Sequence, residues 1–195
     1  MKEEKYTLLI DQDDVLAEYI QGVTNAYNKK YDTCISVDEC VSWDLYQVFG
    51  KEVDTVMHEP DLFRKLQPVK DAIEVFERLY KSGLFEIYIV TAANPVCVPA
   101  KIEWIEKYLP FFPIDRVIIC KRKSMIKGDF LLDDGMHNIE EFAAAGGKPI
   151  IYDRPHNRHR GDQIPRVKSW LEFEKLIMQY CYPEQVTHDM NEAAI

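Results

Sequence analysis

The sequence predicts an α/β fold, a Rossmann-like doubly wound parallel sheet with helices on both faces. Short apolar runs, typical of strands buried on both faces, alternate with segments whose apolar residues recur at helical spacing. Strands and helices that alternate along a chain form a parallel sheet covered by helices. One long connection breaks this alternation, and it predicts a small helical cap inserted after strand 1.

Five apolar runs predict the strands of the sheet, and each is expected to be buried on both faces. They are YTLLI (6–10), EIYIV (86–90), RVIIC (116–120), DFLLD (129–133) and KPIIY (148–152).

Helical periodicity accounts for much of the remaining sequence. Leu16, Ile20, Val23 and Tyr27 stand at i, i+4, i+7 and i+11, which is the spacing of one buried helix face. Four further helices are expected: one from Val69 to Tyr80 with Gly83 as its stop, one from Ile102 to Leu109 ended by Pro110, one that begins at a capping Asn138, and one that begins at Ser169, in capping-box spacing with Glu172.

The connection after strand 1 is much longer than a crossover requires. It runs for about 75 residues, whereas a crossover needs little more than about a dozen. We therefore expect a helical cap at 16–68 and a core domain formed by 1–15 and 69–181. The polar segment 182–195 is expected to be a disordered tail.

Composition and charge limit the classes of function. Hydrophobic residues make up 47% of the 195 residues, as is usual for a globular protein. The net charge of −9 argues against a nucleic acid polymer as partner, because such partners are held by clusters of Lys and Arg. No apolar run has the length of a signal peptide core or a membrane span, so we expect no membrane association.

The cysteines predict a reducing, cytoplasmic environment, because their number is odd and no two form a CxxC pair. They are Cys34, Cys40, Cys97, Cys120 and Cys181.

Polar side chains follow the predicted strands where ligands bind in this class of sheet. In an open parallel sheet the ligand lies beyond the carboxyl ends of the strands, so residues just after each apolar run should converge on one crevice. The residues are Asp11 and Asp13 after strand 1, Thr91 after strand 2, Lys123 before strand 4, and Asp133 and Asp134 at the end of strand 4.

Four carboxylates in one crevice predict a cation. Like charges raise one another's pKa, and Mg²⁺, which prefers a few carboxylates together with phosphate oxygens, resolves the conflict. Once Mg²⁺ and Lys123 neutralise a phosphate, Asp11 can attack phosphorus and Asp13 can protonate the leaving oxygen. Thr91 and the backbone N–H of Ala92 can donate hydrogen bonds to the phosphate.

Simpler interpretations exist for each residue taken alone. The DQDD and DDG segments are also typical of solvated turns, and Lys123 lies in a basic turn where Lys121 or Lys127 could supply the amine instead. An EF-hand loop is excluded, because Val15 and Leu16 occupy positions that require oxygen ligands and Gly. A receiver domain would end its set of residues with Lys rather than with paired aspartates.

The ordered set of motifs resembles the haloacid dehalogenase (HAD) superfamily of phosphohydrolases. LLIDQDDVLAEY is similar to its first motif, IVTAAN to its second, Lys123 to its third and LLDDG to its fourth. The second acid, Asp13, favours phosphate transfer over carbon–halogen hydrolysis, because the dehalogenase members lack it. The D-x-D-x-V-L-A-[DE] start, the position of the cap, KSMIKGDFLLDD and IIYDRPHNRH resemble the 5′(3′)-deoxyribonucleotidases within that superfamily.

This resemblance implies a HAD-like three-layer core with a cap, Mg²⁺ dependence, an aspartyl-phosphate intermediate and nucleoside monophosphates, often deoxypyrimidine ones, as substrates. It implies that Asp11 is the nucleophile and a metal ligand. Asp13 would be the general acid and base, and would offer its backbone carbonyl to the metal. The remaining implied roles are phosphate binding by Thr91 and Lys123 and completion of the metal site by Asp133 and Asp134.

Two departures from the family pattern lie at the site. Asp14 stands where the family usually has Gly; Asp tolerates a tight turn but adds charge, and the sequence assigns it no role. The TAAN segment replaces the TSP-like second motif of the animal enzymes, so the contact expected from Ala92 is through its backbone.

Substrate preference is expected to come from the cap. Trp43, Tyr46 and Phe49 could form an aromatic platform for a base, although each could equally pack among the cap helices. Trp43 is the strongest candidate for a ligand contact. Residues 153–160 follow strand 5 near the crevice, and we expect a solvated loop there.

The first functional hypothesis is a Mg²⁺-dependent phosphomonoesterase that acts on nucleoside monophosphates. One alternative keeps the chemistry but takes a sugar phosphate or another small phosphate ester. The alternative from another class is a non-catalytic regulator that binds a phosphorylated ligand, although a binder needs no second acid two residues after the first. The sequence leaves a homodimer open.

Overall fold

The computed structural model describes residues 5–161 and 163–183, and its centre is a six-stranded sheet. The strands are β1 (Tyr6–Ile10), β2 (Phe85–Thr91), β3 (Val117–Ile119), β4 (Phe130–Asp133), β5 (Lys148–Tyr152) and β6 (Arg166–Val167). Their order is β3-β2-β1-β4-β5-β6, and every neighbouring pair runs parallel. The predicted α/β fold class is confirmed.

The described residues contain eight α-helices, which lie between the strands along the chain or follow the last of them. They are α1 (Tyr19–Tyr31), α2 (Tyr46–Phe49), α3 (Asp54–Met57), α4 (Pro60–Lys65), α5 (Ala72–Lys81), α6 (Val98–Tyr108), α7 (Met136–Ala144) and α8 (Trp170–Cys181).

The two faces of the sheet are covered by different helices, which explains the uninterrupted apolar runs. Leu8 and Ile10 of β1 belong to the main hydrophobic cluster, together with buried residues of α5, α6 and α8. Leu9, between them, belongs to a second cluster on the opposite face with Phe142 of α7. Because successive strand residues point to opposite faces, both parities must be apolar.

The five predicted strands are present within one or two residues of their expected ends, and the sixth was not predicted. That strand, β6, has only two residues, too few to produce a pattern. The periodicity also placed two helix starts too early, because Leu16 precedes α1 and Val69 precedes α5. Ser169 caps α8 as predicted, since its hydroxyl accepts the Glu172 N–H at 3.2 Å.

The prediction that Asn138 caps a helix is wrong. Helix α7 begins at Met136, with Gly135 before it, so Asn138 lies inside the first turn. Its side-chain amide donates to the Asp133 carboxylate at 3.1–3.2 Å. An Asn just before an apolar helical segment is typical of an N-cap, but here its side-chain amide donates to Asp133 instead.

Helices α1–α4 fill the long connection between β1 and β2. Residues of α1–α3 and of the segments between them form a separate hydrophobic cluster that runs from Ile20 to Val56. The C-terminal end of the connection instead joins the main core, where Phe63 and Leu66 pack. The Trp104 indole N–H donates to the Leu66 carbonyl at 2.9 Å. We interpret the middle of this segment as the cap, and its boundaries at 16–68 stay a prediction.

The C-terminal segment is ordered further than we expected. Tyr182 packs edge-on against Tyr6 and Phe85, and its hydroxyl donates to the Leu84 carbonyl at 2.8 Å. The rest of the predicted tail, from 184 onwards, lies outside the described residues.

Among the residues described, no helix combines the length and the apolar character needed to cross a membrane. Each of the five cysteines is a free thiol.

Candidate functional site

The sheet order places the crevice between β1 and β4. The chain winds outwards from β1 through β2 to β3, then crosses back and continues from β4 to β6, so the order reverses between these two central strands. Ligands bind beyond the carboxyl ends of strands at such a reversal. Asp11 directly follows β1, and its N–H donates to the Leu132 carbonyl of β4 at 3.0 Å, which sets it beside Asp133.

The structure brings together four of the predicted site residues at this point. Carboxylate oxygens of Asp11, Asp133 and Asp134 lie within 4.8 Å of one another, and all three residues are buried. The Lys123 ammonium lies 2.6 Å from both Asp11 and Asp133 and is 1% exposed. Of the alternative amines, Lys121 lies on the cavity wall and Lys127 is exposed.

The charges of this cluster do not balance. Burial raises the pKa of Asp11 well above its ordinary value, and Lys123 offsets only part of this effect. Burial and the neighbouring Asp133 raise the pKa of Asp134 to about 8. Burial opposes the charge of Lys123, but Asp11 and Asp133 together raise its pKa. One ammonium therefore faces three carboxylates, and further positive charge would stabilise their ionised forms.

The free oxygens of the cluster fit a hard divalent cation. Asp134 Oδ1 is buried and accepts no hydrogen bond from the described part of the chain. Asp133 is already occupied: it accepts from the Gly135 N–H at 2.8 Å, from the Asn138 amide and from Lys123. The donor set consists of oxygens, as Mg²⁺ prefers.

A second buried lysine, which the sequence reasoning missed, joins Asp13 to Thr91. The Lys101 ammonium lies 2.5 Å from Asp13 Oδ2 and 2.8 Å from the Thr91 hydroxyl, and it is 1% exposed. Its helix, α6, is anchored to the first motif by the Gln12 amide, which donates to the Lys101 carbonyl at 3.1 Å. A signal was present in the sequence, because Lys101 lies on the same apolar helix face as Trp104.

Asp14 has a structural contact. Its backbone is left-handed with φ of 54°, a conformation that L-residues other than Asn and Asp seldom adopt. Its carboxylate accepts the N–H of Ile20, in the first turn of α1, at 3.0 Å and 3.2 Å. Glu18, at the cap position itself, makes no such bond with its side chain. Asp14 thus supplies the capping oxygen for α1.

A cavity of about 440 Å³ reaches the acidic cluster at Asp134, whereas Asp11, Asp133 and Lys123 are not among its lining residues. Its floor is polar, and much of the remaining wall is apolar. The floor includes Asp13, Asp14, Lys101 and Asp134; the wall includes Tyr19, Ile20, Trp43, Leu45, Met57 and Phe63; and Ala92, Ala93 and Asn94 close one side.

The three cap aromatics do not form one platform. Trp43 lines the cavity and is 52% exposed. Phe49 is buried in the cap cluster, and the Tyr46 hydroxyl donates to Asp54. Trp43 alone among the three therefore lines this cavity.

The expectation of a solvated loop at 153–160 is wrong for its first half. Arg154 Nε donates to the Asp14 carbonyl at 2.7 Å, His156 Nε2 lies 3.0 Å from Asp134 Oδ2, and the Asn157 amide donates to the Asp134 carbonyl at 2.9 Å. Residues 158–160 are exposed as expected. Polar composition alone does not distinguish side chains in water from side chains that bond to a buried acid.

Proteins of known classification have sequences similar to that of this chain over most of its length. The family model described as 5′ nucleotidase, deoxy (pyrimidine), cytosolic type C protein matches residues 5–181. A 5′(3′)-deoxyribonucleotidase of Bacillus subtilis is 34% identical over 177 residues, covering 89% of this chain and 99% of the relative. A candidate 5′(3′)-deoxyribonucleotidase of Staphylococcus aureus is 30% identical, covering 88% and 95%.

Solved structures of HAD hydrolases share the fold. A haloacid dehalogenase-like protein of Agrobacterium tumefaciens matches with a TM-score of 0.62 at 11% identity, covering 91% of this chain and 99% of that chain. A candidate HAD-hydrolase of Bacillus subtilis, solved with bound magnesium, matches with a TM-score of 0.60 at 13% identity, covering 89% and 99%.

The chain therefore belongs to the cytosolic type C 5′-nucleotidase family, and it is a phosphoric monoester hydrolase of the nucleotidase type.

Proposed function

We propose that the protein is a Mg²⁺-dependent phosphomonoesterase that hydrolyses nucleoside monophosphates, preferentially 5′- or 3′-deoxyribonucleotides. The observation that carries the proposal is the pair of acids, Asp11 and Asp13, each held by its own buried lysine at the carboxyl end of β1. The named relatives support the substrate class. The free cysteines support a cytoplasmic location.

Mg²⁺ would be held by Asp11, by the free Oδ1 of Asp134 and by the Asp13 carbonyl, with Asp133 contributing through water. Asp133 is assigned the indirect contact because protein donors already occupy both of its oxygens. When bound, the ion neutralises phosphate charge and polarises a phosphoryl oxygen.

In the first step Asp11 attacks the substrate. A carboxylate oxygen of Asp11 forms a bond to phosphorus while the bond from phosphorus to the ester oxygen of the nucleoside breaks. Asp13, two residues further on, gives a proton to that departing oxygen. The products of the step are the free nucleoside and an aspartyl phosphate at Asp11.

In the second step the roles of Asp13 reverse. Its carboxylate takes a proton from a water molecule, and the oxygen of that water attacks phosphorus. The bond between phosphorus and Asp11 breaks, which releases inorganic phosphate and regenerates both carboxyl groups in their starting states.

Two lysines and a hydroxyl position the phosphoryl group. Lys123 reaches the site from the segment that precedes β4, and Lys101 reaches it from α6. The Thr91 hydroxyl lies within hydrogen-bond distance of the Lys101 ammonium. Spread negative charge in the transition state is stabilised by such fixed cations more than by water. The Ala92 backbone, beside Thr91 on the cavity wall, supplies a further donor.

The apolar part of the cavity would hold the nucleoside. Trp43 offers the exposed aromatic surface on which a base can stack, and Ile20 and Phe63 add apolar surface to the cavity wall. These features favour a deoxynucleoside over a bare phosphate or a polar sugar.

The test is phosphate release from a panel of nucleoside monophosphates and sugar phosphates, with Mg²⁺ and with a chelator. We expect release from deoxyribonucleotides in the presence of Mg²⁺, and a fall of at least about 10³-fold in kcat for Asp11→Asn. A preference for sugar phosphates would show that these, and not nucleoside monophosphates, are the substrates. Release of phosphate from none of the esters would exclude a catalytic function.

A further inference from the structure

His156 makes a direct contact with a proposed metal ligand. Its Nε2 lies 3.0 Å from Asp134 Oδ2, and both side chains are at least 98% buried. The same Nε2 lies 3.4 Å from the backbone carbonyl oxygen of Asp134, so an N–H at this nitrogen faces both that oxygen and Oδ2, whereas Oδ1 has no hydrogen-bond partner in the described chain.

The backbone around His156 is held tightly. The amide of Asn157 donates to the carbonyls of Asp134 and Tyr152 at 2.9 Å and 2.8 Å. Its carbonyl oxygens accept from Arg166, which also pairs with Asp153 at 3.0 Å. These bonds join the short helix at Pro155–Asn157 to β4, β5 and β6, so the imidazole has little freedom to move away from Asp134.

The cap covers this contact. The Trp43 indole meets the His156 ring edge-on with centroids 5.2 Å apart, and it meets His137 in the same way at 5.0 Å. Both side chains of the pair are almost fully buried beside these rings, and a polar contact is stronger in such a site of low dielectric constant.

We propose that His156 is a positioning residue of the metal site, which holds Asp134 in the orientation that presents Oδ1 to the cation. Neither the motifs nor the names of the relatives assign it a part. The inference rests on the proposed function, since it requires that Asp134 binds Mg²⁺. Hydrogen bonds to the far oxygen of a ligating carboxylate fix its rotamer and increase metal affinity.

The test is a calorimetric titration of Mg²⁺ alone into the substrate-free protein. His156→Leu removes the donor at similar volume, and we expect the Mg²⁺ dissociation constant to rise about tenfold or more. His156→Gln carries an amide N–H to nearly the same point, and we expect it to remain within about threefold of wild type. The Mg²⁺ concentration for half-maximal phosphate release should rise in the same ratio, while kcat at saturating Mg²⁺ is largely recovered.

His159→Leu is the matched control, because His159 is exposed three residues further along the same segment, and it should bind Mg²⁺ as the wild type does. Wild-type affinity in folded His156→Leu would overturn the inference. If that variant does not fold, His156→Gln is compared with His156→Asn, whose shorter amide cannot reach Asp134; equal affinities would overturn the inference. A wild type that binds no Mg²⁺ would overturn the proposed metal site and the inference with it.

Discussion

Asp14 shows how one residue can satisfy two constraints at the mouth of a site. The turn after Asp13 needs a left-handed backbone, which Gly supplies at no steric cost. Asp adopts the same conformation, with φ of 54°, and adds a carboxylate that caps α1 through the Ile20 N–H. The third acid of the first motif therefore stabilises the start of the cap rather than joining the metal ligands.

We predict that Asp14→Ala lowers the free energy of unfolding by about 1–3 kcal/mol, because it removes the cap and forces Ala into the left-handed region. Asp14→Asn keeps both the conformation and an acceptor oxygen and should change it by less than about 0.5 kcal/mol. Urea unfolding of the two variants beside wild type measures the difference. Equal losses in both variants would show that the capping bond is not the cause.

The sequence predicts the site residues that directly follow strands, but not those that reach the site from a helix or a loop. Asp11, Thr91 and Asp133 could be predicted because the end of a parallel strand fixes where the next side chain lies. Lys101 enters from a helix, and His156 from a loop with ordinary polar composition. Helical spacing places Lys101 on the buried face of α6, but its contact with Asp13, like that of His156 with Asp134, depends on packing between elements that are far apart in the sequence.

Helix α6 connects the site to the segment inserted after β1. It carries Lys101 to Asp13 at its N-terminal end, and α4 packs along it. Trp104, on the same face, is 1% exposed and donates to the Leu66 carbonyl, where the chain returns from the cap to the core. This bond fixes the end of the inserted segment against the core.

We predict that Trp104→Phe lowers the free energy of unfolding by about 1–3 kcal/mol, because the buried Leu66 carbonyl loses its donor. Tyr108→Phe on the same helix is the control, since it removes only a hydroxyl whose bond to Lys107 is exposed. Chemical denaturation of both variants gives the comparison. A Trp104→Phe variant as stable as Tyr108→Phe would contradict the role assigned to this bond.

The elements were predictable to the extent that each carried its own signal. Strands such as β1 and β4, buried on both faces, gave apolar runs that composition alone identifies. The two-residue β6 gave none, because it is defined by pairing with β5. The starts of α1 and α5 were placed too early because apolar residues in the preceding turns, Leu16 and Val69, also pack in the core.

The negative net charge of the whole chain contrasts with the positive charge that is buried at its site. The chain carries a net charge of −9, yet two lysines are buried where the acids of the crevice converge. Burying a charged lysine costs free energy unless the ammonium is paired with an acid. Both buried lysines are paired in this way, at the place where phosphate charge must be neutralised. The cap then places apolar and aromatic surface over that polar floor.

Trapping of a phosphorylated enzyme tests directly whether Asp11 is the nucleophile. The enzyme is mixed with Mg²⁺ and a deoxyribonucleoside monophosphate, quenched in acid within the first turnover, digested and examined by mass spectrometry. We predict one phosphoryl group on the peptide that contains Asp11, and none in Asp11→Asn. A phosphoryl group on another residue, or undiminished phosphate release by Asp11→Asn, would contradict the account.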